Sequence, residues 1–290
     1  MEIITSTKAM QARALQLKKQ GITIGFAPTM GYLHDGHIKL VKQSLENNDI
    51  TVMSIFVNPL QFGPGEDFDA YPRDVKRDQK LAEEAGVNIL FLPERADVYP
   101  NEPSFEINVL KRTDVLCGRS RPGHFNGVAT ILIKLFNIML PDNVYFGLKD
   151  AQQVAVVDSL IKDFNFPIQL IPVETEREED GLARSSRNVY LSEEERVHAP
   201  HLYKGLKKAA DAIQNGETNP ATVIHIVEDY IKTNTNGEID YIEILSFPNL
   251  EQLKQLHGKI IIALAVKFSK ARLIDNIILE TQIGSRNFEV

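Results

Sequence analysis

Short, nearly continuous apolar runs at residues 22–27, 50–57, 87–92, 144–146 and 168–173 recur with amphipathic helical patterns between most of them. The helical patterns cover 37–47, 73–85, 126–139 and 150–164, after an opening helix at 7–20 that Gly21 ends. A strand that is apolar at nearly every position must be covered on both faces, and regular strand–helix alternation makes the sheet parallel. The expected fold class is therefore α/β, a doubly wound parallel sheet. Ligands of such sheets sit beyond the carboxyl ends of the strands. Three polar segments lie there: 28–37 after the first strand, 58–61 after the second and 147–150 after a later one. Past residue 180 the pattern changes. Polar helices at 193–215 and 220–234 precede strand candidates at 240–245, 259–266 and 271–279, the last two a hairpin across 267–270. That half reads as a smaller α+β domain, giving domains 1–180 and 181–290.

Composition narrows the function classes. With 290 residues, 43% hydrophobic and 24% charged, the chain has ample core for one large and one smaller domain. A formal net charge of −7 argues against a general nucleic-acid surface, and no apolar run reaches the length of a membrane span. The N-terminus lacks the basic-then-apolar pattern of an export signal. A single cysteine, Cys117, excludes an intramolecular disulfide and is read as a packing residue; the expected localisation is the cytoplasm.

Residues 28–37 (Pro-Thr-Met-Gly-Tyr-Leu-His-Asp-Gly-His) carry the strongest chemical signal. They read as strand end, glycine turn and helix start, with His34 and His37 one helical turn apart. A helix N-terminus presents unpaired N–H groups and the positive dipole end, which suit anionic oxygens. Gly31 and Gly36 allow close backbone approach, and two imidazoles add donors. The H-x-G-H spacing points to nucleotidyl transfer, with attack on the α-phosphate of ATP and loss of pyrophosphate. The same spacing also fits a metal pair or two solvated histidines, although no third ligand stands at a zinc-like spacing.

Four further segments hold more polar chemistry than folding needs. Asn58 and Gln61 follow a buried strand, as substrate amides or as an Asx turn at Asn-Pro. Residues 119–125 are basic and turn-like, suited to anions or to solvent. Lys149 and Asp150 stand at a strand-to-helix turn, with Asp150 also a plausible N-cap and Gln152 and Gln153 in the first helical turn. Residues 180–188 resemble a loop closing on phosphates, or a solvated interdomain turn.

Together these segments resemble the pantoate–β-alanine ligases (pantothenate synthetases) of the HxGH nucleotidyltransferase superfamily. The matching motifs are PTMGxLHxGH at 28–37, FVNPxQF at 56–62, YPR at 71–73, RPGHFxGV at 121–128, GxKDxQQ at 147–153 and DGLAxSSRN at 180–188. The resemblance implies a Rossmann-like domain with a smaller C-terminal lid domain, usually as a homodimer. It implies condensation of pantoate with β-alanine at the expense of ATP, with Mg²⁺, giving pantothenate, AMP and pyrophosphate through a pantoyl-adenylate. By the same resemblance Pro28, Thr29, Met30, Gly31, Tyr32, Leu33, His34, Asp35, Gly36 and His37 line the ATP site. Gly147, Leu148, Lys149 and Asp150 contact the nucleotide, as do Glu176, Arg184, Ser185, Ser186 and Arg187. Gln61, Gln153 and Asn58 take pantoate and β-alanine, and His37, His34, Lys149 and Arg187 form the catalytic set. Glu176 and Arg184 stand where apolar residues are usual, which is neutral if they meet ATP through backbone. The metal ligands are not identified; Asp78 and Gln79 are the candidates.

This chemistry explains the residue types. A hydroxy-acid carboxylate, with a pKa of about 4, is ionised at neutral pH and needs no base to attack phosphorus. The difficulty is bringing anions together, which Lys149, Arg187, His34, His37 and Mg²⁺ address. Neutral Gln61 and Gln153 orient pantoate without adding charge. The β-alanine ammonium must lose a proton before attacking the acyl carbon. Two other classes compete: a transferase of the same fold that passes AMP to a phosphate-bearing acceptor, and a nucleotide sensor without turnover. AMP release that requires both pantoate and β-alanine separates the ligase from either.

Overall fold

The structure is a computed structural model, and it describes residues 1–281. Along the chain run β1 (Glu2–Ile4), α1 (Thr7–Lys19), β2 (Ile24–Thr29), α2 (Asp35–Asn47), β3 (Ile50–Ile55), α3 (Val75–Glu84) and β4 (Ile89–Phe91). Two short helices, α4 (Arg95–Val98) and α5 (Leu116–Ser120), precede α6 (His124–Met139), β5 (Asn143–Gly147), α7 (Ala151–Asp163) and β6 (Gln169–Val173). Then come α8 (Glu193–His198), α9 (His201–Gln214), α10 (Pro220–Asn234), β7 (Glu238–Ser246), β8 (Gly258–Lys267) and β9 (Arg272–Thr281). These residues divide into two compact units. The first is Met1–Lys111, Arg121–Leu148 and Val156–Thr175; the second takes Arg112–Ser120, Lys149–Ala155 and the chain from Glu176. Three short segments of the 1–180 stretch, 112–120, 149–155 and 176–180, thus group with the second unit.

The first unit is built on a six-stranded sheet in the order β1-β4-β3-β2-β5-β6, parallel at every pairing. The chain winds outward from β2, through β3 and β4 on one side and β5 and β6 on the other. The strand order therefore reverses between β2 and β5, and a crevice opens at their carboxyl ends. Ile24, Phe26, Ala27, Val52 and Met53 are fully buried, which is why these strands are mostly apolar, with Thr29, Thr51 and Ser54 the buried polar exceptions. On one face Ala27, Leu40, Val41, Met53, Leu90 and Tyr145 form a continuous core. The sheet is thus the α/β fold expected, with one addition. Glu2–Ile4 forms an edge strand paired with β4, too short to give a periodic signal.

The second unit carries an antiparallel sheet, β7-β8-β9. The β8–β9 hairpin closes across 267–270 with Lys267 opposite Arg272 and the Phe268 N–H on the Ala271 carbonyl at 2.8 Å. One face packs on Leu202, Leu206, Val223, Val227 and Ile231 of α9 and α10. The other meets Leu116, Ala151 and Ala155. α10 is rich in β-branched residues, each up to ~0.7 kcal/mol less favourable in a helix than Ala. Burying Val223, Val227 and Ile231 on one stripe contributes about 1.5–3 kcal/mol apiece, so packing outweighs propensity. The helix expected over 193–215 is two helices, because Pro200 offers no N–H to continue the helical hydrogen-bond ladder. Among the described residues no helix is long and apolar enough to cross a membrane.

Candidate active site

The 28–37 segment begins with the last two residues of β2, Pro28 and Thr29, and ends in the first turn of α2. The two histidines form a reciprocal cap. His34 is the N-cap, and its Nδ1 accepts the Gly36 N–H at 3.2 Å. His37, at the third helical position, accepts the His34 N–H on its own Nδ1 at 3.3 Å. A capping box normally pairs a hydroxyl with a carboxylate; here imidazoles fill both roles. Because each Nδ1 accepts, each neutral ring carries its hydrogen on Nε2. The ring centroids are 4.0 Å apart, so two Nε2–H donors stand together where the helix dipole is positive. Asp35 adds a carboxylate to the first turn, favourable to the dipole.

The loop between β2 and α2 is fastened by Asp78 of α3. Its carboxylate accepts the Tyr32 N–H at 2.7 Å and the Leu33 N–H at 2.7 Å, and Arg77 stacks over the Tyr32 ring. Gly31 and Tyr32 have φ of +84° and +49°. A Cβ on Gly31 would stand 2.9 Å from Ile55 Cγ2 and 3.0 Å from Asp78 Oδ2, so glycine is required twice over. The Gly31 N–H donates to Thr29 Oγ1 at 3.2 Å. Burial pushes the Asp78 carboxyl above its usual range against the pull of the Leu33 and Tyr32 N–H bonds. Leu33 is fully buried, so its side chain serves the core.

Asn58 and Gln61 stand close to this loop. Gln61 Nε2 lies 3.3 Å from Met30 Sδ, and its Oε1 accepts from Asn58 Nδ2 at 3.0 Å. Asn58 is buried and engaged throughout. It donates to the Gly127 carbonyl and accepts from Tyr99 OH at 2.9 Å and from the Leu60 N–H. The Asx turn expected there is present, and Asn58 shapes the turn that carries Gln61. The Gln61 carbonyl accepts from His124 Nδ1 at 2.8 Å and from Arg121 Nη2 at 3.2 Å. Arg121 in turn pairs with Glu66. Burial alone would raise the Glu66 carboxyl, but Arg121 holds it below its usual value. Gly127 lets α6 touch this turn: a Cβ there would fall 2.2 Å from the Leu60 carbonyl oxygen. The basic 119–125 segment thus supplies braces for Gln61 in Arg121 and His124.

The remaining candidates belong to the second unit, apart from Gly147 and Leu148. Leu148–Asp150 forms a 3-10 turn, with Lys149 Nζ 3.3 Å from Asp150 Oδ2. Gln153 is half-buried on α7. Its neighbour Gln152 is buried and donates to the carbonyls of Arg112 and Val115, a structural tie. Arg184 donates its N–H to the Glu176 carbonyl at 2.9 Å, so these two atypical residues meet through backbone, beside a bridge between Arg177 and Ala183. The Arg184 guanidinium lies 3.6 Å from Glu178. Ser185 caps a 3-10 turn over Ser186–Tyr190 and accepts the Arg187 N–H. Lys149, Ser185, Asn188 and Asp275 line one small cavity. Cys117 is half-buried, its Sγ 3.3 Å from Tyr241 OH.

Among the described residues no three His, Cys, Asp or Glu side chains converge as a metal cage. The Asp78 oxygens, a metal candidate from sequence, are instead taken up by backbone N–H groups. This set does not fit a resident Mg²⁺ site.

Sequence reasoning did not reach Asp78 as a loop fastener, nor the packing role of Gly127. It also passed over Asp275 and Asn276, polar residues buried on an apolar strand. Burial at a strand position otherwise held by Ile and Leu was the available signal.

Comparison with known proteins identifies the family. A model of the family described as pantoate-beta-alanine ligase matches residues 2–278. Pantothenate synthetase of Geobacillus sp. (strain WCH70) is 59% identical over 280 residues, covering 97% of this chain and 99% of that protein. That of Bacillus pumilus (strain SAFR-032) is 59% identical over 278 residues, 96% of each chain. The crystal structure of pantothenate synthetase from Thermus thermophilus superposes with a TM-score of 0.89 at 40% identity, covering 96% of this chain and 99% of that one. Pantoate-beta-alanine ligase from Francisella tularensis, solved with beta-gamma ATP and beta-alanine, gives 0.79 at 34% identity, covering 96% and 97%. This chain belongs to the pantoate–β-alanine ligase family, enzymes that join pantoate to β-alanine.

Proposed function

We propose that the chain makes pantothenate in two steps, with ATP as its Mg²⁺ complex, through pantoyl-adenylate. The observation that carries this reading is the reciprocal imidazole cap of His34 and His37, two Nε2–H donors at a helix N-terminus beside the sheet crevice. In the first step a pantoate carboxylate oxygen attacks the α-phosphorus. The bond to the bridging oxygen breaks, and pyrophosphate leaves with the electron pair. His37 and His34 meet the charge moving onto the phosphates as Nε2–H hydrogen-bond donors, and Lys149 and Arg187 are cationic donors suited to nucleotide phosphates. Mg²⁺ arrives on the triphosphate oxygens, as suits an ion that takes few protein ligands.

In the second step the β-alanine amine, deprotonated, attacks the acyl carbon, and AMP leaves carrying one former carboxylate oxygen. Gln61, braced by Asn58, and Gln153 orient pantoate. Holding reactants in register supplies up to ~7–11 kcal/mol of the barrier, which explains why Gln61 is held by Asn58 on its amide and by His124 and Arg121 on its carbonyl. Phe105 and Leu110 are 87% and 88% exposed, large apolar side chains that suit burial against a second copy, in line with a homodimer. The lone cysteine suits a reducing compartment, in line with a cytoplasmic enzyme.

The test is isotope transfer. Pantoate labelled with ¹⁸O in its carboxyl group is turned over with ATP, Mg²⁺ and β-alanine, and AMP is analysed by mass. The adenylate route places one ¹⁸O in each AMP; label found in phosphate or pyrophosphate instead sinks it.

A further inference from the structure

β9 faces apolar clusters on both sides, yet it buries two consecutive polar residues. Asp275 is 4% exposed and Asn276 8%. Adjacent strand residues point to opposite faces of a sheet. Asp275 shares its face with Leu273, Ile277 and Leu279, the side packed on α9 and α10. Asn276 shares its face with Ile278, the side packed on Ala151 and Ala155. A buried polar group costs stability unless it is fully bonded, so the bonds these two make are informative.

Asp275 receives a two-pronged bond from Arg177, Nη1 to Oδ2 at 2.6 Å and Nη2 to Oδ1 at 2.8 Å. Arg177 also donates to the Gly181 carbonyl at 3.0 Å and stacks 3.5 Å over the Tyr203 ring. Its backbone bridges to Ala183. One guanidinium therefore spans the 177–183 loop and fixes it to β9, and that loop runs directly into Ser185, Ser186 and Arg187. On the opposite face Asn276 Nδ2 donates to the backbone carbonyl of Lys149 at 2.9 Å. Asp275 Oδ1, which Arg177 Nη2 engages, also accepts the Asn276 backbone N–H at 2.8 Å, so the two clamping residues are tied to each other.

We propose that Asp275 and Asn276 are positioning residues for the ligase reaction: from one point on β9 they fix, on opposite faces, the turn bearing Lys149 and the loop leading to Arg187. This rests on the reading that Lys149 and Arg187 serve the nucleotide. Neither Asp275 nor Asn276 is assigned a contact with substrate. They keep two cationic donors in a fixed mutual register, and a displacement of about 1 Å in such a group costs up to ~10²-fold in rate.

The experiment is a double-mutant cycle on adenylate formation, read as pyrophosphate released in a single turnover without β-alanine. Asn276→Ala, Lys149→Ala and the double variant are compared with the parent chain, and Asn276→Asp, an isosteric change that removes the N–H donor, replaces Ala if that variant does not fold. The expected result is a loss of about tenfold or more in the Asn276 variant, carried by kcat, with pantoate KM and melting temperature little changed. In the Lys149→Ala background the same substitution should add almost nothing, because it acts through Lys149. Full activity in a folded Asn276 variant, or an equal loss in both backgrounds, overturns the positioning role while leaving Lys149 in place. A Lys149→Ala single variant with parental activity is a different failure: it overturns the reading of Lys149 itself, and the positioning role with it.

Discussion

The two units hold their functional groups in different ways. In the first, the capping pairs are near neighbours in the chain, although His124 and Arg121 reach the Gln61 carbonyl from 63 and 60 residues away. His34 and His37 cap each other across three residues, and Asn58 holds Gln61 across the same span. Even the fastener, Asp78, comes from the next helix in the α/β order. In the second unit the Lys149 turn is held by Asn276 and the 177–183 loop by Asp275, ties that cross 127 and 98 residues. A parallel α/β sheet brings successive strand ends together, so short motifs at those ends meet without long-range help. The antiparallel sheet of the second unit, covered by α9 and α10 on one face and by α5 and α7 on the other, is tied instead by long-range side-chain clamps.

The contrast fails if the first unit proves insensitive to its local geometry. Gly127→Ala is the severest probe, because the added methyl meets backbone at 2.2 Å rather than a side chain that can move aside. Overpacking of this kind costs about 1–3 kcal/mol, and here it also shifts the turn carrying Gln61. A lower melting temperature together with a raised pantoate KM is expected; parental values for both would show that the α6 contact is dispensable.

Asp78→Asn is a milder probe of the same loop. One of the two carboxylate acceptors becomes an NH₂ group facing a backbone N–H. Leaving a buried donor unmet costs about 1–3 kcal/mol. ATP KM should rise by roughly tenfold, at the upper end of what such a loss transmits to binding. Isothermal titration with a non-hydrolysable ATP analogue checks this, and unchanged affinity would separate the Asp78 clamp from the nucleotide.

The smallest effect sharpens the picture of the second unit. Glu195 accepts N–H bonds from Ser192 and Ser269, which hold its carboxyl at about 2 against 4.5 for a free side chain. A carboxyl depressed in the folded state contributes stability that is complete above 4.5 and lost as pH falls toward about 2. The melting temperature of the parent chain should therefore fall through that window, and Glu195→Gln should flatten that part of the curve while leaving turnover at neutral pH intact. A parallel descent in both would remove Glu195 from the acid response.

The same contrast explains what was legible in the sequence. The sheet could be read because β2, β3 and β5 are buried on both faces and so largely apolar, whereas three-residue β1 carried no period to detect. The histidine cap was visible as spacing, since both partners lie within one helical turn. The shared jobs of one side chain were not visible. Asp78 stood out only as an acid on a helix, and its two backbone partners became apparent once Tyr32 and Leu33 took their places in the loop. Asp275 and Asn276 lay inside an expected strand, where period-2 reasoning assigns faces but cannot supply partners from residues 149 and 177. Pro200 was the opposite case, a break that its own chemistry announces and that the 193–215 helix ignored.

Nδ1 of each imidazole in the cap holds the helix start, and the proposed chemistry rests on a division in which Nε2–H is left to serve the phosphates. His37→Asn against His37→Gln tests it most directly: Asn places an acceptor near the Nδ1 position without the Nε2 donor, and Gln places a donor near Nε2 without the cap. Single-turnover adenylate formation and melting temperature are measured on both. His37→Asn is predicted to keep a near-parental melting temperature yet lose about 10²-fold in rate, while His37→Gln melts lower and retains more of the rate. An Asn variant as fast as the parent chain would contradict the division.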